Sequence, residues 1–155
     1  MQRVTRGARA AWLEGEFVKI TGVRTAVVQG NFPWVLVKIE TDAGITGLGE
    51  AYWGAGVAEL VHKAKPLLLG EDPFNINKLV EMMIRCLSGE GSTGGATVTA
   101  ISGVEIALWD LMGRALNTPI YNLFGGRFRN KIRLYADCHA GETPDPSDYA
   151  KRAKE

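Results

Sequence analysis

Ala100–Gly126, AISGVEIALWDLMGRALNTPIYNLFGG, decides how this chain folds. Ile101, Val104, Leu108, Leu111, Met112 and Ala115 recur at three- and four-residue spacing, which predicts a long amphipathic helix over 96–116. Asp110 and Arg114 stand one turn apart, suited to a surface ion pair worth about 0.2–0.5 kcal/mol. The Trp109-Asp110 pair has the look of a buried pair, and Pro119 and Gly125-Gly126 close the stretch. Beyond it, KIRLYADCHAG (131–141) reads as a strand over 132–136 and a loop. Pro146-Ser147-Asp148 then opens a helix that reaches the last residue within about two turns.

Upstream, the pattern changes from helical to alternating. Val18–Gln29 and Trp34–Thr41 read as strands joined by a short loop over 30–33. Asp42-Ala43-Gly44 is a hairpin turn with Gly44 suited to positive φ, and Ile45–Tyr52 completes a three-stranded antiparallel meander. Gly47 and Gly49 within that third strand point to close backbone approach on one face. Val57–Leu69 is a helix that Pro66 is expected to kink or split. Asp72-Pro73 looks like an N-cap and first helical residue, opening a helix with Leu79, Met82, Met83, Cys86 and Leu87 on one stripe. SGEGSTGG (88–95) is a flexible loop. The order is three strands, three helices and the start of a βα unit, an α+β fold. A lone strand of parallel type at 132–136 has no partner for its backbone groups.

Composition bounds the function. The chain has 155 residues, 46% hydrophobic and 23% charged, the range of an ordinary globular domain with a real core. A net charge of +1 gives no reason to expect nucleic acid or an anionic membrane as partner. No apolar run approaches the roughly 20 residues of a membrane helix. Two cysteines, Cys86 and Cys138, are too few for a disulfide framework and fit a reduced compartment. A zinc site from Cys86, Cys138, His62 and His139 has no supporting ligand spacing. The opening MQRVTRGARAAWLEGEF is rich in arginine and has no acid before Glu14, like a transit peptide, but lacks serine and has only a short apolar face. A disordered extension over 1–17, from a start placed too far upstream, is the plainer reading.

Several motifs carry possible chemistry. Gly89–Gly94 spells G-x-G-x-x-G, but a helix precedes it where a dinucleotide site needs a strand, so an inter-helix loop is expected. Glu50 and Glu105 sit in apolar sequence and could be buried acids; the expected role is structural, accepting backbone N–H groups. Phe32 and Trp34 flank the loop between the first two strands, while Tyr52 and Trp53 follow the third. The third strand runs antiparallel to the second, so its end lies beside the second strand's start, and both aromatic groups should meet at one end of the sheet. They either plug the sheet edge or face a substrate. Asp137, Cys138 and His139 follow the strand at 132–136; at the carboxyl end of a barrel strand, His139 would be a candidate for binding or proton transfer.

These features together resemble the enolase superfamily, in particular the mandelate racemase/muconate lactonizing enzyme group. The resemblance is carried by AISGVEIALWDL (100–111), Gly113-Arg114, Pro119-Ile120 and LFGG (123–126), supported by VKITGVRT (18–25), VKIETDAGITGLGEAY (37–52) and LLLGEDPFNI (67–76). It extends from Val18 to the last residue. It implies a capping domain over 18–126, a three-stranded meander followed by a helical bundle, and then the first strand and partial helix of a (β/α) barrel over 127–155. The implied chemistry is Mg²⁺-assisted removal of a proton α to a carboxylate, with a lysine or histidine base. The family's metal ligands and bases sit on later barrel strands, so no residue here is assigned a catalytic or metal-binding role. Phe32, Trp34, Tyr52, Trp53 and His139 are the residues expected to face a substrate. The hairpin and the DCHAG segment look most like galactonate- or gluconate-type sugar-acid dehydratases, which lose the β-hydroxyl from an enediolate. A racemase, epimerase or cycloisomerase would share the same cap.

The implied partner is a small-molecule sugar acid or other carboxylate, in a cytoplasmic enzyme that is a homo-oligomer at full length. The chain reads as the front of such an enzyme, truncated and inactive alone. A stand-alone binding or assembly module, and a split enzyme completed by a second chain, are the other two readings.

Overall fold

The computed structural model describes residues 17–30, 32–90, 94–135, 145–152 and 154. Three strands, β1 (Ile20–Gln29), β2 (Pro33–Thr41) and β3 (Thr46–Glu50), form an antiparallel sheet in the order β1-β2-β3. The expected meander is present, with β3 shorter than the alternation suggested. At the β2–β3 turn, Gly44 has φ 72° and its N–H donates to the Thr41 carbonyl at 3.1 Å. The buried Thr41 hydroxyl closes the turn by donating to the Ile45 carbonyl at 2.8 Å.

Helices α1 (Val57–Leu68), α2 (Ile76–Leu87) and α3 (Gly95–Leu116) follow, then a short helix α4 (Pro146–Arg152). α1 packs on β1, α3 packs on β3 and β2, and α2 packs on both helices. The core lies between the layers. Val23, Val37 and Ile39 from the sheet meet Val61 and Leu68 of α1, Leu79 and Met83 of α2, and Val104, Leu108 and Leu111 of α3, all buried. Each such side chain contributes about 1.5–3 kcal/mol by leaving water. The apolar stripe read in α3 is therefore its core face, with Met112 only half-buried.

The helix–sheet contact is unusually close because small residues face each other. A Cβ on Gly47 would overlap the Ala107 carbonyl oxygen, and one on Gly49 would overlap that of Gly103. The close approach expected from the glycines of β3 is thus an approach to α3. α3 ends as predicted at Leu116, where Asn117 adopts a left-handed φ of 52° and the Thr118 N–H donates to the Gly113 carbonyl at 2.9 Å.

Four expectations are corrected. α1 runs unbroken through Pro66, which lies in its last turn, where only the bond to the residue 62 carbonyl is lost. Asp72-Pro73 does not open α2. The Asp72 carboxylate accepts the Phe74 N–H at 2.9 Å, its carbonyl accepts the Asn75 N–H at 3.2 Å, and these bonds form a turn that delays the helix to Ile76. Cys86 is exposed, because the buried line of α2 is Ile76, Leu79, Met83 and Leu87. Ile132–Tyr135, the described part of the expected barrel strand, is not paired in any sheet, and Ile132, Leu134 and Tyr135 are exposed. Among the described residues no strand lies beside it to take its backbone hydrogen bonds.

Candidate functional site

The two aromatic groups meet, as the antiparallel register requires. β1 and β2 pair to their ends, Val28 opposite Trp34 and Gln29 opposite Pro33. On the other side of β2, Leu36 lies opposite Glu50. Pairing continues past β3: Ala51 N–H donates to the Val35 carbonyl and Val35 N–H donates to the Tyr52 carbonyl, both at 2.7 Å. Val35 thereby fixes where the chain leaving β3 sits against the loop entering β2.

The four rings form a closed cycle. Phe32 meets Trp34 edge-on with centroids 5.8 Å apart, and Trp34 meets Tyr52 edge-on at 5.6 Å. Tyr52 and Trp53 lie 6.0 Å apart, and Trp53 stacks on Phe32 at 5.4 Å with ring planes 5° apart. The indole of Trp34 covers Gly30, where a Cβ would lie 3.1 Å from its Nε1. Phe32 and Trp34 are half-buried, whereas Tyr52 and Trp53 keep 51% and 43% of their surface exposed. The four include no acid, lysine, arginine or histidine. Such a surface offers flat apolar faces and single O–H and N–H donors, which suits binding and exclusion of water rather than proton transfer. His139, the fifth residue expected at the site, lies outside the described residues.

The backbone here shows what sequence pattern did not reveal. Tyr52 has φ 51°, a left-handed conformation uncommon for a bulky residue, and Gly54 and Gly56 follow with φ 152° and 81°. Gly54 and Gly56 were a visible signal of a sharp loop; a left-handed tyrosine had none.

Other singled-out residues lie elsewhere. Glu50 is exposed, not buried, because it points to the face of the sheet away from the helices. Glu105 is half-buried and accepts the Trp109 Nε1–H at 3.3 Å rather than a backbone N–H, while Trp109 packs against Phe124 at 4.5 Å. The pair read as buried is half-buried: Asp110 accepts both the Leu48 N–H at 2.9 Å and Arg114 Nε–H at 2.8 Å. His62 Nε2 lies 2.9 Å from the Thr25 hydroxyl and ties α1 to β1. On the uncovered face of the sheet, Glu40 bonds Lys38 and Arg24, each at 3.0 Å. The Lys38 hydrogen bond foremost, with the charges of Arg24 and Lys38, holds the Glu40 carboxyl below its ordinary pKa against a smaller desolvation effect.

Among the described residues no three histidine, cysteine, aspartate or glutamate side chains come together as a metal site. The described residues therefore offer no carboxylate or histidine cluster for the magnesium that the resemblance implies. The described helices include none long and apolar enough to cross a membrane. The G-x-G-x-x-G run follows α2, not a strand, and begins inside a short 3-10 turn over Ser88–Glu90, and residues 91–93 lie outside the described part.

Residues 18–125 match the family model for the mandelate racemase / muconate lactonizing enzyme, N-terminal domain. This chain belongs to that family. Among curated proteins, D-xylonate dehydratase of Haloferax volcanii is 46% identical over 133 residues, covering 86% of this chain and 32% of the relative. D-galactonate dehydratase of Verminephrobacter eiseniae is 40% identical over 121 residues, covering 76% and 31%. Among solved structures, a mandelate racemase/muconate lactonizing enzyme-like protein of Rubrobacter xylanophilus superposes with a TM-score of 0.78 at 39% identity, covering 88% of this chain and 38% of that one. The chain spans about a third of the length of these curated relatives. The span matched to the mandelate racemase/muconate lactonizing enzyme N-terminal domain holds the whole sheet, α1 to α3 and all four rings.

Proposed function

We propose that this chain is the substrate-capping N-terminal part of a sugar-acid dehydratase, and that Phe32, Trp34, Tyr52 and Trp53 face the substrate. The closed ring cycle at the open end of the sheet carries this reading. The names of the two dehydratase relatives support the sugar-acid class. In the whole enzyme, Mg²⁺ would supply stabilisation of an enediolate formed by removal of the proton α to the carboxylate. Overall the α-proton and the β-hydroxyl would be lost as one water, and the enol left behind would tautomerise to a 2-keto-3-deoxy acid. The four rings do none of this chemistry. They hold the uncharged polyol end of the acid by ring faces and single hydrogen bonds, and keep water from the reacting end. The carboxylate end needs a cationic partner, which the ring cycle lacks. His139 is proposed as a further substrate contact from the segment after residue 135. The whole enzyme is proposed to be a cytoplasmic homo-oligomer.

A hybrid enzyme tests the reading. Residues 18–135 replace the aligned segment of the Haloferax volcanii D-xylonate dehydratase, and the product is assayed with D-xylonate, D-galactonate and D-gluconate. At least one acid should be dehydrated. A folded hybrid that dehydrates none of them overturns the proposal.

A further inference from the structure

Tyr52 sits at the crossing of the two loops, and its backbone is the unusual part. Its φ of 51° lies in the left-handed region, where an L-residue with a bulky side chain is disfavoured. Such a conformation persists only where its surroundings over-determine it. Here the determinants are the two 2.7 Å bonds to Val35, from Ala51 N–H and to the Tyr52 carbonyl. The left-handed step comes directly after β3, while the Tyr52 carbonyl still accepts from β2, and the next residue, Trp53, lies parallel to Phe32 at 5.4 Å. Among the described residues the ring of Tyr52 meets Trp34 edge-on and Trp53 at a tilt, and the residue is half exposed.

We infer that Tyr52 is a positioning residue whose left-handed backbone, rather than its ring, sets the Trp53–Phe32 stack before any ligand arrives. Its consequence for specificity rests on the substrate-facing reading of the rings, but the geometry does not. A preset stack presents a rigid wall, so a bound polyol meets one fixed surface and the loop pays no ordering entropy on binding.

The test compares Tyr52→Gly with Tyr52→Ala in the full chain. Both remove the ring, and they differ by one methyl group whose only marked effect is on a left-handed backbone. Hydrogen exchange of the Val35 amide is followed by NMR, with the Leu108 amide as the control for global folding. The Gly variant should keep Val35 exchange within about twofold of the natural chain, and the Ala variant should exchange about tenfold faster. Near-ultraviolet circular dichroism should show fixed ring packing in the Gly variant and its reduction in the Ala variant. Tyr52→Asn, which tolerates the left-handed region, should behave like Gly, and this arm stands even where the Ala variant fails to fold. Equal Val35 exchange in the Gly and Ala variants, or fast exchange in the Asn variant beside a protected Leu108, overturns the inference. None of these readouts involves turnover, so an inactive hybrid enzyme would count against the dehydratase reading alone.

Discussion

The Asp110 carboxylate holds the Leu48 N–H at 2.9 Å, and that one bond seals the outer edge of the sheet against the longest helix. Among the described residues β3 has β2 on one side only, so the Leu48 N–H would otherwise have no acceptor in the sheet. The same oxygen accepts from Arg114 at 2.8 Å. The spacing of Asp110 and Arg114 therefore marks an ion pair whose acid also serves the strand.

Removing Asp110 should cost more than removing Arg114. Asp110→Ala leaves the Leu48 N–H without its charged acceptor and should destabilise the fold by about 1.5–3 kcal/mol. Arg114→Ala removes only a largely exposed partner and should cost about 0.3–0.5 kcal/mol. Asp110→Asn keeps an acceptor and should fall between them. Urea unfolding midpoints of the three variants check the order.

The glycine contacts predict intolerance to a single methyl group. Gly49→Ala places a Cβ against the Gly103 carbonyl, and Gly103→Ala places one against Ala51. Each should lower stability by about 1–3 kcal/mol or more, since backbone must move on both sides. Gly44→Ala meets nothing within 4 Å, and its cost should come from the left-handed φ alone. Thermal unfolding of the three variants separates packing from backbone strain.

Trp53 should matter more for binding than for folding. It is 43% exposed and its stack with Phe32 is worth about 0.5–1.5 kcal/mol. In the hybrid enzyme, Trp53→Ala should raise KM about tenfold while kcat changes by less than about threefold, the pattern of lost uniform binding. A kcat loss without a KM change would place the ring at the reacting end instead.

Glu40 gives a pH dependence of known sign. Its carboxyl is held below its ordinary pKa in the folded chain, first by the Lys38 hydrogen bond. Its contribution is thus present above the unfolded-state pKa and lost as the pH falls through the folded value. The stability difference between the natural chain and Glu40→Gln should be constant at neutral pH and shrink on acidification below the ordinary carboxylate range. High salt should shrink it as well, since its partners Arg24 and Lys38 are exposed. Urea titrations at several pH values and two salt concentrations read both effects.

The fold was legible where the signals were periodic. The α3 stripe, the three alternating segments and Gly44 located α3, the three strands and the β2–β3 turn to within a few residues. The antiparallel register then brought Phe32 and Trp34 together with Tyr52 and Trp53, because strand order alone determines which ends coincide. What stayed hidden depended on partners. Asp72-Pro73 has the composition of a helix start, but the Asp72 side chain found the nearer Phe74 N–H first. Glu50 looked buried because alternation does not say which face the helices cover. Ile132–Tyr135 has strand composition, and composition cannot provide a neighbouring strand. The left-handed Tyr52 was invisible because the partner its carbonyl bonds, Val35, lies seventeen positions away.

The bond between Leu48 and Asp110 spans 62 positions, and that distance sets a clock on synthesis. A ribosome adding about 5–20 residues per second needs roughly 3–12 s to pass from one partner to the other. During that interval the hairpin of β1 and β2 can form, but Gly47 and Gly49 have no helix to lie against. The nascent chain waits with a bare glycine-lined strand at an open sheet edge, the state in which a chaperone or a wrong strand has its best opportunity to bind.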